Sequence, residues 1–364
     1  MKNVELAIIG GGPAGLCAAI NAASAGVNVL LIDRSKILGG QLIKQTHMFF
    51  GSEKQYASTR GIDITNILLK EVDKLSDKIE IYTDSTVLGI YEEKVMTILK
   101  GDDYLKVKSD AIIVATGASE KVLAFPNNDL PGIYGAGAVQ TLMNVYGVKP
   151  GDRVIMVGAG NIGLIVSYQM LQAGVEIVAV LDAAPTIGGY LVHASKLTRL
   201  GIPILTRHSI KEAVGNEGLE KIVAWELDDN WQGIENSEIE YDVDVACISV
   251  GLTPLTELLA QAGCEMKHVG VLGGTVPTIN EHHETTVKNI YVAGDVSGVE
   301  EASSAMVEGY ITGLNVAKRL GKVHENHEAL ISDYHKQLDD LRSGPVGDKL
   351  RVGIKQIMRG DEEC

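Results

Sequence analysis

"VIMVGAGNIGLIVSYQMLQAGVEIVAVLD", from Val154 to Asp182, repeats the pattern of "LAIIGGGPAGLCAAINAASAGVNVLLID", from Leu6 to Asp33. In each stretch an apolar run precedes a loop with three spaced glycines, an apolar stretch of helical length follows, and a second apolar run ends at an aspartate. This order predicts strand, phosphate-binding loop, helix and strand, the βαβ unit that binds dinucleotides. The chain of 364 residues is therefore predicted to bind two dinucleotides.

The first glycine loop has the spacing G-x-G-x-x-G. Gly10 is predicted to make the tight turn, Gly12 to let the backbone approach a pyrophosphate, and Gly15 to let helix and strand pack closely. The helix start offers N–H groups and a positive dipole end to the phosphates. Asp33, 23 positions after Gly10, is predicted to accept hydrogen bonds from a ribose diol. The predicted contacts of this unit are Gly10, Gly12, Pro13, Ala14, Gly15, Asp33 and Arg34.

The second loop repeats this logic with one difference in spacing. Asp182 follows Gly158 by 24 positions, one more than in the first unit, which leaves open whether its carboxylate reaches a ribose. No arginine follows until Arg199. A 2′-phosphate would need a positive charge near this position, so NAD(H) is favoured over NADP(H). The predicted contacts are Gly158, Gly160, Asn161, Ile162, Gly163 and Asp182.

Two dinucleotides on one chain indicate electron exchange between them. Hydride passes between a nicotinamide and a flavin when their rings stack, so FAD with NAD(H) is the expected pair. The alternative is a duplicated scaffold without ligands. That alternative is disfavoured, because glycines that matter only for a close phosphate approach would weaken a scaffold.

Composition excludes several other classes of protein. The net charge of −15 opposes binding to nucleic acid or to an anionic membrane surface. No apolar run reaches the roughly 18 residues of a membrane helix, and no signal peptide is recognised. The chain is therefore predicted to be cytoplasmic, without membrane insertion.

Metal and disulfide chemistry are not expected. The four cysteines form no C-x-x-C pair and no metal-ligand spacing. The adjacent histidines of "NEHHETT", residues 280–286, point to opposite sides of an extended segment and are assigned to a surface loop. Small buried side chains are predicted for the first three cysteines, and a frayed terminus for the fourth; they are Cys17, Cys247, Cys264 and Cys364.

Four further motifs follow in a set order: "GGQL" at 39–42, "AIIVATGA" at 111–118, "ACISVGLTP" at 246–254 and "NIYVAGDVSG" at 289–298. With the two glycine loops, they resemble the two-dinucleotide-binding flavoproteins, the superfamily of glutathione and thioredoxin reductases. The resemblance implies flavin contacts from "GGQL", from Val87 in "STVLGI" through its backbone, and from Asp295 to the ribityl chain. The helix start at 302–309 would face the flavin N1–C2=O edge. The residues so implied are Gly40, Gln41, Val87, Thr116, Gly117, Asp295 and Ala302 for FAD, and Gly251 for NAD.

The resemblance implies an α/β fold with two Rossmann-like domains and a helical C-terminal tail. Residues 1–118 and 251–320 would form a discontinuous FAD domain. Residues 119–250 would form the inserted NAD(P) domain. Residues 321–364 would form the tail.

One departure separates this chain from the disulfide reductases. Residues 131–151, where thioredoxin reductases carry their redox cysteine pair, contain no cysteine. This stretch and residues 188–210 look like the NAD(P)/FAD subunits of hydrogen cyanide synthase, opine oxidase and dye-linked proline or hydroxyproline dehydrogenase complexes. That similarity implies separate partner subunits: an iron–sulfur protein, a second flavoprotein or both. A homo-oligomer is also compatible.

The function predicted is FAD-dependent electron transfer between NAD(H) and a partner of an amine or amino-acid dehydrogenase-like complex. Two alternatives stay open: a stand-alone NADH-dependent reductase or oxidase of a quinone, ferredoxin or O₂, and a non-catalytic FAD-bound assembly subunit. Catalytic residues stay unassigned, because a flavin accepts hydride without a protein acid or base. The candidates beside the flavin are Gln41, Lys44 and His47, although their loop would equally serve packing.

The tail carries an apolar stripe at helical spacing. It either docks on the chain's own body or binds a partner protein, and a partner is favoured because the cofactor domains are complete by about residue 320. The stripe consists of Leu330, Tyr334, Leu338, Leu341, Leu350, Ile354 and Ile357.

Overall fold

The chain divides between two folding units in a computed structural model that describes residues 1–49 and 52–360. Unit 1 comprises Met1–Ser119 and Thr253–Cys364, and unit 2 comprises Glu120–Leu252. The chain thus crosses between the units one and two residues beyond the ends predicted at 118 and 250. Phe50, Gly51 and residues 361–364, with Cys364, lie outside the described residues.

The strands of both units, in chain order, are β1 (Lys2–Ile9), β2 (Val29–Ile32), β3 (Ile79–Tyr82), β4 (Ser85–Tyr91), β5 (Val95–Lys100), β6 (Asp103–Val114), β7 (Ala118–Glu120), β8 (Ile133–Gly135), β9 (Arg153–Val157), β10 (Glu176–Asp182), β11 (Ile204–Thr206), β12 (His208–Gly215), β13 (Leu219–Glu226), β14 (Ile239–Asp242), β15 (Val245–Ile248), β16 (Leu252–Pro254), β17 (Met266–Val269), β18 (Gly274–Pro277) and β19 (Ile290–Val292).

The helices, in the same order, are α1 (Pro13–Ser24), α2 (Gly61–Lys74), α3 (Ala136–Asn144), α4 (Asn161–Gln172), α5 (Leu191–Arg199), α6 (Glu257–Gln261), α7 (Ala302–Arg319), α8 (His327–Leu341) and α9 (Gly344–Ile357).

Unit 1 is built on a sheet in which β3, β2, β1 and β6 run parallel. The second half of β6 also pairs in parallel with β19, and its first half pairs antiparallel with β5. In register, Ile9 lies opposite both Ile32 and Val114, and Val114 lies opposite Val292. The carboxyl ends of four strands therefore meet at one edge, where α/β proteins bind their ligands.

Helix α7 packs on α1 through two glycines. A Cβ on Gly309 would lie 2.2 Å from the carbonyl oxygen of Ala14, and one on Gly313 would lie 2.4 Å from that of Ala18. Only glycine permits this approach. It places α7 beside the helix that follows the first glycine loop.

Unit 2 repeats the parallel architecture with strand order β11–β10–β9–β15–β8. Val157 lies opposite both Leu181 and Ile248, so the second glycine loop also begins at the carboxyl edge. A small antiparallel sheet, β12–β13–β14, completes the unit. The predicted α/β fold class with a helical C-terminal region is confirmed.

The apolar stripe of the C-terminal tail packs in part on unit 1. Leu338 on α8 is buried against Val307 and Ile311 of α7. Ile357 on α9 is 1% exposed and packs in the core beside the unit 1 sheet. The stripe therefore docks in part on the chain's own body, the alternative that the sequence disfavoured, because helical periodicity shows that a face is apolar but not what covers it. Binding of a partner to the tail stays a prediction. The rest of the stripe is at most half-buried: Leu330, Tyr334, Leu341, Leu350 and Ile354.

Candidate functional site

In the first glycine loop, two glycines are required by the protein itself. Gly10 has φ 112°, and a Cβ there would lie 2.2 Å from the carbonyl oxygen of Ala115. A Cβ on Gly15 would lie 1.8 Å from the carbonyl oxygen of Gly10. These residues make the turn and the close packing of helix on strand.

Gly12 is different, because the protein leaves room for a side chain there. Its backbone is extended, with φ −80°, and the nearest atom to a Cβ would be the Gly40 Cα at 3.7 Å. Any small residue would fit this space and conformation. A glycine at this position is therefore explained by a ligand that approaches the backbone. Helix α1 begins here with no side-chain cap, so its first N–H groups suit a phosphate.

Asp33 is held against the first glycine loop by backbone N–H groups. Its Oδ2 accepts a hydrogen bond from Gly11 N at 2.6 Å, and its Oδ1 accepts one from Ser35 N at 2.7 Å. Each oxygen keeps a further lone pair. The half-buried carboxylate is thus oriented at the loop and still able to accept from ribose hydroxyls, whereas the neighbouring Arg34 is exposed.

The second loop shows the same division among its glycines. Gly158 has φ 110°, and a Cβ there would lie 2.0 Å from the carbonyl oxygen of Ser249. A Cβ on Gly163 would lie 2.0 Å from the carbonyl oxygen of Gly158. Gly160 has φ −74°, and no atom of the described residues lies within 4 Å of a Cβ there. The second unit therefore also has a loop opening that a ligand explains.

A β-bulge accounts for the extra residue before Asp182. The pairing of β10 with β9 shifts between Ile177 and Ala179, so Val178 is the inserted residue. Beyond it the register is restored. Asp182 Oδ2 accepts from Ala159 N at 2.6 Å and its Oδ1 accepts from Ala184 N at 2.8 Å. The carboxylate takes the same backbone partners relative to its loop as Asp33 does, although the spacing along the chain differs.

A second repeat, missed in the sequence, follows each acid by six positions: Gly39–Gly40 and Gly188–Gly189. Each glycine pair crosses over its own glycine loop. Gly39 N donates to the carbonyl oxygen of Gly11, and Gly189 N donates to that of Ala159, both at 2.8 Å. The repeated "GG-x-L" was the available signal.

Asn161 and Ile162, both predicted nucleotide contacts, lie beside the second crossing. Asn161 Oδ1 accepts from Tyr190 N at 2.8 Å, which ties the start of α4 to the start of α5. Ile162 is 39% exposed and Leu191 is 81% exposed. His193, on α5, is buried and lies near the Tyr190 ring, and burial lowers its pKa.

The predicted contacts after β6 and β15 serve partly as structural ties. Thr116 Oγ1 donates to the carbonyl oxygen of Leu255 at 2.7 Å, so its hydroxyl proton is already used. Gly117, with φ 74°, accepts from Leu255 N. Gly251 has φ 109° and accepts from Lys121 N at 3.0 Å. Ligand contacts here would come from the backbone.

The motif at 289–298 lies next to the first glycine loop. Gly294 has φ 77°, and a Cβ there would lie 2.9 Å from the Cβ of Ala14. Asp295 follows at the same sheet edge. Burial, followed by the negative charges of Glu308 and Glu300, raises the pKa of Asp295 to about 7. Its neighbour α7 begins at the half-buried Ala302, with no side-chain cap.

The remaining flavin-side candidates lie on or near a 3-10 helix, Gly40–Lys44. Gln41 is exposed, whereas Lys44 and His47 are half-buried, and His47 stacks on Phe49 with centroids 5.8 Å apart. Sequence reasoning missed Gln45, whose buried Oε1 has no hydrogen-bond partner among the described residues. An unpaired buried acceptor is one that a bound group would satisfy. Val87, the last predicted contact, is buried on β4.

Arg207 was also missed, because it is distant from Asp182 in sequence. Strand pairing places Asp182 opposite Thr206, the residue before Arg207. The Arg207 guanidinium donates to Asp229 at 2.7 Å. The positive charge that strand pairing brings to this end of β10 is therefore already neutralised by a carboxylate.

The cysteines and histidines of the described residues show no reactive or metal-binding cluster. Cys17, Cys247 and Cys264 are free and buried. Burial raises the pKa of Cys17 to about 12 and raises that of Cys247 further. Of the two adjacent histidines, His282 is exposed and His283 is half-buried. His283 Nδ1 lies 2.8 Å from Thr312 Oγ1, and burial lowers its pKa to about 3. In residues 1–49 and 52–360, no group of three potential ligands lies together.

The model of the pyridine nucleotide-disulphide oxidoreductase family matches residues 4–309. The chain belongs to this family. It is an oxidoreductase chain of the FAD-dependent flavoprotein class, as the motifs predicted. No helix in the described part of the chain is long and apolar enough to cross a bilayer.

Three proteins illustrate the similarity within this family. One subunit of the opine oxidase of Agrobacterium tumefaciens is 27% identical over 325 residues, which cover 85% of this chain and 64% of that protein. Hydrogen cyanide synthase subunit HcnB of Pseudomonas protegens is 26% identical over 342 residues, 89% of this chain and 72% of that one. The crystal structure of L-proline dehydrogenase from P. horikoshii aligns with a TM-score of 0.69 at 25% identity, over 93% of this chain and 59% of that one.

These relatives confirm the predicted similarity to subunits of amine and amino-acid oxidising complexes. The chain spans about two thirds of the length of the opine oxidase relative and less of the L-proline dehydrogenase chain.

Proposed function

We propose that this chain binds FAD in unit 1 and NAD(H) in unit 2. It would move electrons between the two cofactors and onward to a partner redox subunit of an amine or amino-acid dehydrogenase-like complex. The partner would be a separate iron–sulfur protein, a second flavoprotein or both. The names of the relatives support this assignment, since the opine oxidase relative and HcnB are both subunits by name.

The observation that carries the proposal is the pair of glycines that the protein does not need. Gly12 and Gly160 have ordinary backbone angles and open space where a side chain would sit. The first and last glycines of each loop, by contrast, are sterically required. They are Gly10, Gly15, Gly158 and Gly163. Two openings of the same design, each with an oriented aspartate, support two dinucleotide sites.

In unit 1, each group has a separate task toward FAD. The backbone of the first glycine loop and the start of α1 would bind the pyrophosphate, and Asp33 would orient the adenosine ribose. Asp295 would hold the ribityl chain, and the start of α7 would stabilise negative charge on the reduced ring. Bound FAD would supply the electron-accepting ring system that amino-acid side chains lack.

Electron transfer by this chain would not pass through a protein disulfide. Cys17, Cys247 and Cys264 are buried, and burial raises the pKa of all three thiols. A thiolate is the reactive form, so these residues are poor nucleophiles near neutral pH. A partner protein or a small acceptor would take this role. We place the protein in the cytoplasm, where such thiols stay reduced.

NAD(H) is proposed over NADP(H) because of the charge around Asp182. Its carboxylate would accept from the ribose diol and repel a 2′-phosphate. The residues that follow are Ala183 and Ala184. Arg207 has its guanidinium on Asp229, which lowers its value as a phosphate ligand.

The bulge at Val178 bears on the alternative of an inactive assembly subunit. That alternative drew on the displaced spacing of Asp182. Because the bulge restores the carboxylate to its loop, with the same two types of backbone bond as Asp33, the displacement no longer argues for a lost site.

The test is an anaerobic visible spectrum of the purified protein, titrated with NADH and then with NADPH. We expect the flavin absorbance band to be present and to bleach with about one equivalent of NADH, and more slowly with NADPH. Protein without any flavin, and unable to bind added FAD, would refute the assignment of unit 1. Bound flavin that neither nucleotide bleaches would refute electron exchange between the two sites.

A further inference from the structure

Arg342, the residue that follows α8, extends its side chain from the C-terminal tail to a pair of buried carboxylates. Its Nε donates to both oxygens of Glu300, at 3.1 and 3.0 Å, and its Nη2 donates to Glu300 Oε1 at 2.6 Å. Nη2 also donates to Glu308 Oε1. The side chains are 13% exposed for Arg342, 7% for Glu300 and 11% for Glu308. Removing one partner of an ion pair this buried is costly, because the other partner is left as an unpaired charge out of water.

Both carboxylates are linked to the motif at 289–298. Glu308 Oε2 accepts a hydrogen bond from Gly294 N at 2.9 Å. The backbone N of Glu300 donates to Asp295 Oδ1 at 3.3 Å. Arg342 is therefore two hydrogen bonds away from the turn that carries Asp295. It is the cation that neutralises the acidic side of that turn.

Other charged and titratable groups face this cluster from several elements. His283 precedes β19, His335 lies on α8, and Arg351 on α9 donates to the carbonyl oxygen of Arg342 at 2.8 Å. His283 is bonded to Thr312 and stays neutral near pH 7, since its pKa lies at about 3. Arg351 pairs with Asp348, so it does not neutralise the two glutamates.

We propose that Arg342 is a positioning residue for FAD binding. By neutralising Glu300 and Glu308 it holds the turn at Gly294 and Asp295 in its ligand-binding geometry, and the C-terminal helices thereby become part of the flavin site of unit 1. This inference rests on the proposed function, in which unit 1 binds FAD.

The charge balance explains why one arginine would matter. Without it, Asp295, Glu300 and Glu308 would form three neighbouring carboxyl groups with no cation on them. Two ionised glutamates would repel, and the bond from Glu308 to Gly294 N would weaken. Protonation of one glutamate at lower pH would relieve the repulsion, so the defect would depend on pH.

The experiment compares FAD dissociation constants of the full-length wild type, R342M, R342K and the double variant E300Q/R342M between pH 6 and 9. Flavin fluorescence on titration with FAD gives the constant, and far-ultraviolet circular dichroism checks that each variant is folded. We expect R342M to weaken FAD binding at least about tenfold at pH 8 and less at pH 6. R342K should lie between R342M and the wild type, because lysine keeps the charge without the planar fork.

The double variant E300Q/R342M separates a charge effect from general damage to the tail. It leaves the bond from Glu308 to Gly294 N and removes the opposing charge. FAD binding should recover most of the loss, and its dependence on pH should return to that of the wild type. A dependence on pH that stays steeper than that of the wild type, in which Asp295 titrates over the same range, would overturn the proposal. If R342M does not fold, the double variant and R342K carry the comparison with the wild type.

The matched control is R351M, which removes an arginine of the same tail that does not pair with the two glutamates. It should change the FAD dissociation constant less than about twofold. Equal losses in R351M and R342M would show that tail docking in general is responsible, which would overturn the specific role of Arg342. Equal FAD binding by R342M and the wild type would overturn it as well. A wild type that binds no FAD would refute the proposed function instead.

Discussion

The two glycine-loop units share one design but differ in how much protein surrounds the loop. In unit 1, Gly40 lies over Gly12, and the turn at Gly294 packs against Ala14. In unit 2, Gly189 also crosses the loop, but no described atom lies within 4 Å of a Cβ on Gly160. Leu191, which follows the second glycine crossing, is 81% exposed.

Under the proposed function, this difference fits two kinds of ligand. A loop enclosed by a second motif and by helix α7 suits a cofactor that stays bound. An open loop suits a nucleotide that must exchange in each turnover. The FAD site proposed for unit 1 would therefore hold a resident cofactor, and the NAD(H) site proposed for unit 2 would hold an exchanging one.

The largest expected effect tests whether the last glycine of each loop, Gly15 or Gly163, is needed for the stability of its unit. A methyl group in G15A or G163A would lie 1.8 or 2.0 Å from a carbonyl oxygen of its own loop. We expect each variant to lose about 3 kcal/mol of unfolding free energy in its own unit, because overpacked sites cannot relax freely. Urea denaturation of FAD-free protein measures this. The controls are G12A and G160A, at the two positions with open space, and each should lose less than about 1 kcal/mol of unfolding free energy. Equal losses in all four variants would contradict the distinction between sterically required and open glycines.

A smaller effect tests Asp295, the buried acid of unit 1. The pKa of Asp295 is raised from 3.8 to about 7 by burial, so the folded FAD-free protein binds an extra proton between these values. Its stability should therefore fall as pH rises through this window. D295N removes the titrating group and should be more stable than the wild type by about 2 kcal/mol at pH 8, with no difference near pH 4. Denaturation at a series of pH values checks this, and parallel pH profiles of the two proteins would contradict it.

The smallest effect concerns coenzyme choice in unit 2. D229N frees the Arg207 guanidinium, and we expect it to improve NADPH binding relative to NADH by about threefold, because exposed ion pairs contribute little. R207M in the same background should abolish the gain. Flavin bleaching at limiting NADPH and NADH gives the ratio. A gain that persists without Arg207 would show that this residue does not face the 2′-position.

The α/β fold and its glycine loops could be predicted because their signals are local. Gly10, Gly15 and their counterparts meet atoms within their own loop or at the end of an adjacent strand, so spacing alone reveals them. The sequence shows that one extra residue precedes Asp182, but it does not show that this residue forms a β-bulge. Sheet pairing between β9 and β10, rather than the chain order, decides where the aspartate lies.

Three further features depend on contacts that are distant in sequence. Arg342 is one charged residue in a helical tail, and its partners Glu300 and Glu308 lie 42 and 34 positions away. Arg207 reaches the end of β10 only through strand pairing. The apolar stripe at Leu338 indicated a buried face, but only the fold shows that α7 covers it.

The most direct test of the account is to compare FAD content and NADH reactivity in G12A and G160A. Both positions accept a methyl group without strain, so both proteins should fold. G12A should lose FAD, with binding weakened at least about tenfold, which corresponds to about 1.4 kcal/mol. G160A should keep its FAD and require about tenfold more NADH to bleach it. Retention of FAD by G12A, or an equal loss of FAD from both variants, would contradict the assignment of one loop to each cofactor.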